Sequence, residues 1–224
     1  MQNLTFVKPI NSWCFNLPMA SCKDHCDYGL SRVGYCMNSI DFRMNESKRK
    51  KNKNFIDNDP NFEAKLLHQI DLTRHTHFRI NSIGDFDFND NGVLQLQKIM
   101  NLIKKRPNLN FWITTHSEYL INKAFKTRKF TLKNASLQLS HQNINEKWPN
   151  FLIEYYNKKG ISVTSSTINP KLSNCPKSIT WTHKNSSCGS CDKCYNPGGI
   201  IHNTIFNLHG THAKTRLKKY QEKQ

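Results

Sequence analysis

Between Pro60 and Thr167 the chain alternates helix-like and strand-like segments. That alternation limits the fold more than any other feature. "PNFEAKLLHQIDL" places Phe62, Leu66, Leu67 and Ile70 at helical spacing behind Pro60. "THFRINSI" reads as a strand that runs into a turn at "GDFDFNDNG". "NGVLQLQKIMNLIKKRP" sets Val93, Leu94, Leu96, Ile99, Met100 and Ile103 on one helical face and stops at Pro107. "LNFWITT" is a compact apolar strand, and a short helix is expected over Glu118 to Phe125. "ASLQLS" alternates as a strand, "WPNFLIEYYNKKG" is a helix with a glycine stop, and "ISVTSST" is another strand. Strands separated by helices predict parallel pairing, because each parallel pair needs a long crossover. The expected fold is therefore α/β, as one domain over residues 1–224. Its sheet is a partial (β/α) barrel or an open, mainly parallel sheet.

The flanks read differently. Residues 1–40 are expected to form a loop-rich segment carrying Cys14, Cys22, Cys26 and Cys36. The polar stretch Asn45 to Asn54 is expected to be exposed. A second cysteine-rich segment, 170–210, is expected to follow the last strand. No stretch approaches the roughly 20 apolar residues of a membrane span. The start, "MQNLTFVKPINSWCFNLP", lacks a basic region followed by an apolar core. The expectation is a cytosolic address, where thiols stay reduced and cysteines serve as ligands more than as crosslinks.

All eight cysteines fall into two groups of four. "SSCGSCDKCYNP" sets Cys188, Cys191 and Cys194 at C-x2-C-x2-C spacing, with Cys175 upstream. Such spacing lets neighbouring thiolates reach one metal centre, and three in a row approach ferredoxin spacing. Pro176 after Cys175 also fits a ferredoxin ligand. Four thiolates would equally make a tetrahedral zinc site, with His183 able to replace one. In the N-terminal group, Cys22, Cys26 and Cys36 around one cubane would leave an iron open to a non-protein ligand. Cys14 could close that position instead.

The net charge of +17 predicts attraction to polyanions. Basic residues cluster in "KRKKNKN" (48–54), "KKR" (104–106), "KAFKTRK" (123–129) and the tail "KTRLKKYQEKQ". Nucleic acid is the partner such clusters suggest.

The order "FNLPMASC", "GYCMN", "FRINSIGDF", "PNLNFWITT" and "CGSCDKC", with a later His209, resembles the phage gene product 88 family. The resemblance covers about Phe15 to His209. It implies a phage protein in the cytoplasm of an infected host cell. The family is in turn distantly similar to radical S-adenosylmethionine enzymes with a partial (β/α) barrel. That similarity implies a 4Fe-4S cluster on Cys22, Cys26 and Cys36, with Gly84 and Asp85 near bound S-adenosylmethionine. It also implies an auxiliary cluster on Cys175, Cys188, Cys191 and Cys194, and a host electron donor. The sequence departs from these patterns in the nine residues between Cys26 and Cys36. It also has Asn81 where the family usually has histidine, and Thr114 where it usually has tyrosine.

Further candidates follow from position. Asp85 and Asp87 succeed a strand, where α/β folds build their sites. A helix cap near Asn91 would explain acidic residues there as well, and Asn89 or Asp90 could supply it. Arg79 is on an apolar strand, where an ion pair with an acidic neighbour would satisfy it. His116 follows a strand, and His75 and His77 are expected at the surface. The function expected is an iron–sulfur protein with redox or radical chemistry. Its rival is a zinc-stabilised nucleic-acid-binding protein.

Overall fold

Among the described residues, seven strands form one sheet in the order of the chain. The structure is a computed structural model. It describes residues 3–7, 12–18, 40–81, 84–144, 146–167, 173, 175, 194–195, 201 and 203–207. The strands are β1 (Thr5–Val7), β2 (Ser12–Phe15), β3 (His77–Ile80), β4 (Asn110–Thr115), β5 (Ala135–Ile144), β6 (Ser162–Thr167) and β7 (Thr204–Asn207). The helices are α1 (Ile40–Asn58), α2 (Phe62–Thr73), α3 (Asp90–Lys104), α4 (Glu118–Ala124) and α5 (Asn150–Lys158). β1 pairs antiparallel with β2, and every later pair is parallel.

Sequential parallel order has a physical consequence. Right-handed crossovers that always advance in one direction put their helices on one face of the sheet. Trp13, Phe78, Phe111 and Ala135 share one register row, and Phe15, Ile80, Ile113 and Leu137 share another. Most of these join one apolar core with Phe62, Leu66, Leu96, Ile99, Leu102, Leu120 and Tyr156 of the helices. The sheet is open, with β1 and β7 at its edges.

Several expectations need correction. The polar stretch 45–54 lies inside α1, where Arg49 and Asn52 are buried. Asn52 Nδ2 donates to the carbonyls of Asn3 (3.0 Å) and Asn16 (2.9 Å), so an amide, not an apolar stripe, fastens this helix to the β1–β2 hairpin. The loop-rich first forty residues also hold the short strands β1 and β2. β7 follows the C-terminal cysteine run, which therefore falls between two strands. In α3, Leu94 is exposed while Leu102 is buried, so the core face is set by Leu96, Ile99, Leu102 and Ile103. Among the described residues no helix is long and apolar enough to cross a membrane.

A polar sheet face as the candidate functional site

The face turned away from the helices is polar. Its register rows are Cys14–Arg79–Trp112–Ser136, Thr114–Gln138–Ser162 and Ser140–Thr164–Thr204. Alternating polar and apolar residues usually mean that one face meets water. Here the polar side is buried too: Gln138 and Thr164 are each 1% exposed, and Ser136 is 2% exposed. Part of the cover comes from Cys194 and Tyr195. The Tyr195 ring packs edge-on against His77 at 4.8 Å and against Trp112 at 5.8 Å. The Ser136 hydroxyl donates to the Cys194 carbonyl.

Arg79 does not meet an acidic neighbour among the described residues. Its guanidinium lies 3.7 Å from the centre of the Trp112 ring, a cation–π contact worth about 0.5–2 kcal/mol. Trp112 Nε1 donates to Gln138 Oε1 at 2.7 Å, which fixes the amide of Gln138 across the strand pair. Several buried atoms on or beside this face have no hydrogen-bond partner among the described residues. They are Arg79 Nε, both amide atoms of Asn81, Thr114 Oγ1, Gln138 Nε2 and Thr164 Oγ1. Buried polar atoms are normally bonded, so such a group needs an explanation.

The carboxyl end of β3 is built around two unusual backbone positions. Asn81 has φ 60 and Gly84 has φ 81. The Asn81 N–H still donates to the Phe15 carbonyl (3.0 Å), continuing the β2–β3 ladder one step. A Cβ at Gly84 would lie 1.8 Å from the Leu17 carbonyl oxygen, so only glycine fits against the chain leaving β2. Asp85 is fully buried. One carboxylate oxygen accepts from the Phe86 N–H at 2.7 Å. The other accepts from the His116 N–H at 2.6 Å and lies 3.2 Å from His116 Nδ1. Gly84 and Asp85 thus join the loops that leave β2, β3 and β4. Asn89 supplies the cap of α3, accepting from the N–H groups of Asn91 and Gly92.

Of the sequence-predicted ligands, Cys14, Cys175 and Cys194 are described. Cys14 is buried on the polar face, with its thiol 3.9 Å from the Ser12 carbonyl. Cys175 lies beside β7, its N–H donating to Ser173 Oγ, which in turn donates to the Ile205 carbonyl. Cys22, Cys26, Cys36, Cys188 and Cys191 lie outside the described residues, as do His183 and His209. Among the described residues no three cysteine, histidine, aspartate or glutamate side chains form a metal-binding group. His75 and His77 are partly buried, with the His75 ring 5.3 Å from Phe6. Arg79, Asn81 and Thr114 stand out in the sequence, while Gln138 and Thr164 do not. The polar positions of "ASLQLS" and "ISVTSST" were the available signal.

The gene product 88 family model matches residues 1–197 of the 224. The chain belongs to the gene product 88 family. No curated protein and no solved structure matches it.

Proposed function

We propose that this gene product 88 family member is a phage-encoded iron–sulfur protein that gathers its thiolates on the face of the sheet opposite the helices. One observation supports this above the others. Cys14 of β2 and the Cys194 backbone, from opposite ends of the chain, come to the same polar face. Three strand spacings, roughly 14 Å, separate Cys14 from Ser136 beneath Cys194. That distance favours separate centres for the two cysteine groups. The donor set fits in kind, because eight thiolates in two groups suit soft metal centres.

Cys22, Cys26 and Cys36 would hold a 4Fe-4S cluster, and Cys175, Cys188, Cys191 and Cys194 a second one. Such a cluster supplies one-electron transfer, and in the enzymatic version it would cleave S-adenosylmethionine reductively. This chain's own residues shape the setting. Gly84 and Asp85 fix the loops at the carboxyl ends of the strands, while Arg79 and Trp112 form a cationic platform on the polar face.

Anaerobic purification of the full chain tests the reading. Brown protein is expected, with iron and acid-labile sulfide in equal amounts. Replacing Cys188, Cys191 and Cys194 by alanine, or Cys22, Cys26 and Cys36 by alanine, should each remove part of the iron. Colourless protein holding zinc without sulfide would overturn it in favour of a zinc-stabilised protein. Release of 5′-deoxyadenosine after reduction would establish the enzymatic version.

A second reading, binding of nucleic acid, has its own observation. Connections that lead from a helix into a strand lie at the amino end of the sheet. Lys104–Arg106, Lys126–Lys129 and Lys158–Lys159 all fall in or beside such connections. Phe130 N–H donates to the Lys159 carbonyl (2.8 Å), which draws two of these clusters together. Duplex or single-stranded DNA should bind with a steep loss of affinity as salt rises. Salt-independent binding, or none at low salt, would reject this reading.

A further inference from the structure

The polar face has more hydrogen-bonding capacity than the described protein uses. Asn81, Thr114, Gln138 and Thr164 are 3%, 8%, 1% and 1% exposed, and each has a buried side-chain atom without a partner among the described residues. Burying such atoms without a bond is costly, and a row of them is rarely left empty by chance. They are neighbours by register. Thr114 pairs with Gln138, Gln138 with Ser162, and Thr164 lies two residues beyond Ser162 on the same face. Asn81 follows β3 at the level of Thr114, in a left-handed conformation that non-glycine residues adopt at a cost and that gathers at functional sites.

Charge narrows the ligand. The register rows of this face contain no aspartate or glutamate. They contain one guanidinium, Arg79, whose Nε is buried and unpaired and whose described partner is the neutral Trp112 ring. A cation so placed attracts an oxyanion, and a planar guanidinium suits carboxylate or phosphate geometry. The remaining groups are uncharged amides and hydroxyls. The strip from Arg79 across Thr114 and Gln138 to Thr164 crosses three strand spacings and rises four residues along the strands, about 20 Å between backbones, part of which the Arg79 side chain spans as it leans over Trp112. That is longer than a bare anion and near the length of a nucleotide or an extended amino-acid derivative.

We propose that this face binds an elongated small molecule that carries a carboxylate or phosphate at one end. Arg79 meets the oxyanion, while Asn81, Thr114, Gln138 and Thr164 bond its uncharged polar groups. The site uses no thiolate, so it stands whether or not the protein holds a cluster.

Calorimetry on the full chain as purified tests this, with metal content measured separately on the same sample. Adenosine 5′-monophosphate against adenosine forms the phosphate arm. S-adenosylmethionine and glutamate against their carboxamides form the carboxylate arm. The expected result is saturable binding in at least one arm, with the neutral analogue weaker by about tenfold or more. Arg79→Gln should abolish that difference. Thr114→Val and Thr164→Val should weaken binding while leaving the melting temperature of the unliganded protein unchanged or raised, because no bond is lost there. No binding in either arm, equal binding of charged and neutral analogues, or a lowered melting temperature in both threonine variants would overturn the proposal. The iron result leaves this outcome untouched, so the two readings fail separately.

Discussion

Gly84 shows how one residue fixes the relation between two strands. At φ 81, and with the Leu17 carbonyl oxygen 1.8 Å from any added Cβ, the position excludes other side chains twice over. Gly84→Ala is expected to cost about 2–4 kcal/mol, combining left-handed strain with a backbone clash. Urea unfolding followed by circular dichroism reads it, and a change under about 0.5 kcal/mol would show that the loop yields. Tyr156 makes a residue-scale prediction about pH. It is buried, and its hydroxyl donates to Glu118 Oε2 at 2.9 Å. Burial first, and the hydrogen bond to Glu118 second, push its pKa well above the ordinary tyrosine value. The folded protein therefore keeps a proton that the unfolded chain releases at about pH 10. The stabilisation is full below that pH and is lost as pH rises beyond it. Tyr156→Phe should flatten the fall in melting temperature between about pH 9 and 11. An unchanged slope would mean that other groups govern alkaline unfolding.

At the scale of elements, α3 depends on its start as much as on its apolar face. Asn89 Oδ1 accepts from the N–H groups of Asn91 (3.0 Å) and Gly92 (3.3 Å). Asn89→Ala should cost about 1 kcal/mol, read as a lower urea midpoint with an unchanged m-value. An altered m-value would instead implicate the denatured state. The same helix shows what the sequence made legible. Its place, and those of α2, β3, β4, β5, α5 and β6, follow from apolar period, caps and the glycine stop at Gly160, although β5 runs on to Ile144, past the expected Ser140. The α1 helix was hidden because its packing uses Arg49, Asn52 and Ile56 in place of an apolar stripe, and its lysines read as solvated coil. β1, β2 and β7 are only three or four residues long, too short for periodicity to register. Of the site, Arg79, Asn81 and Asp85 could be placed at a strand end. The buried polar face could not be foreseen, because alternation in "ASLQLS" looks the same whether its polar side meets water or protein. Only the return of Tyr195 onto Trp112 decides between them.

Over the whole molecule, polarity divides between the two faces of the sheet and basic charge gathers towards one end of its strands. Thirty-three lysines and arginines face sixteen acids. Several of those acids are already committed: Glu63 to Lys105, Asp71 to Arg106, Asp90 to Lys123, and Asp57 and Asp87 to Lys53. The surplus therefore rests on exposed residues such as Lys104, Lys126, Arg128, Lys129 and Lys158, around the amino end of the sheet. Part of this pattern is local physics, since Lys104, Lys123 and Lys158 each sit in the last turn of a helix, where the dipole favours cations. Arg128 also serves a helix end, its Nε donating to the Ala124 carbonyl of α4 at 2.8 Å, but the dipole does not account for Lys126 and Lys129, which follow α4 in the loop towards β5. If that loop contacts phosphates, Lys126→Glu with Lys129→Glu should weaken DNA binding and reduce the salt slope by about two, near one per lysine. The same substitutions should leave ligand binding at Arg79 unchanged, because Lys126 and Lys129 are exposed in the loop before β5 and belong to no row of the polar face. A slope that stays constant while affinity falls would place the polyanion elsewhere, with the lysines of α1 the next surface to vary. Loss of Arg79-dependent binding in the same variant would show that this loop and the polar face are coupled.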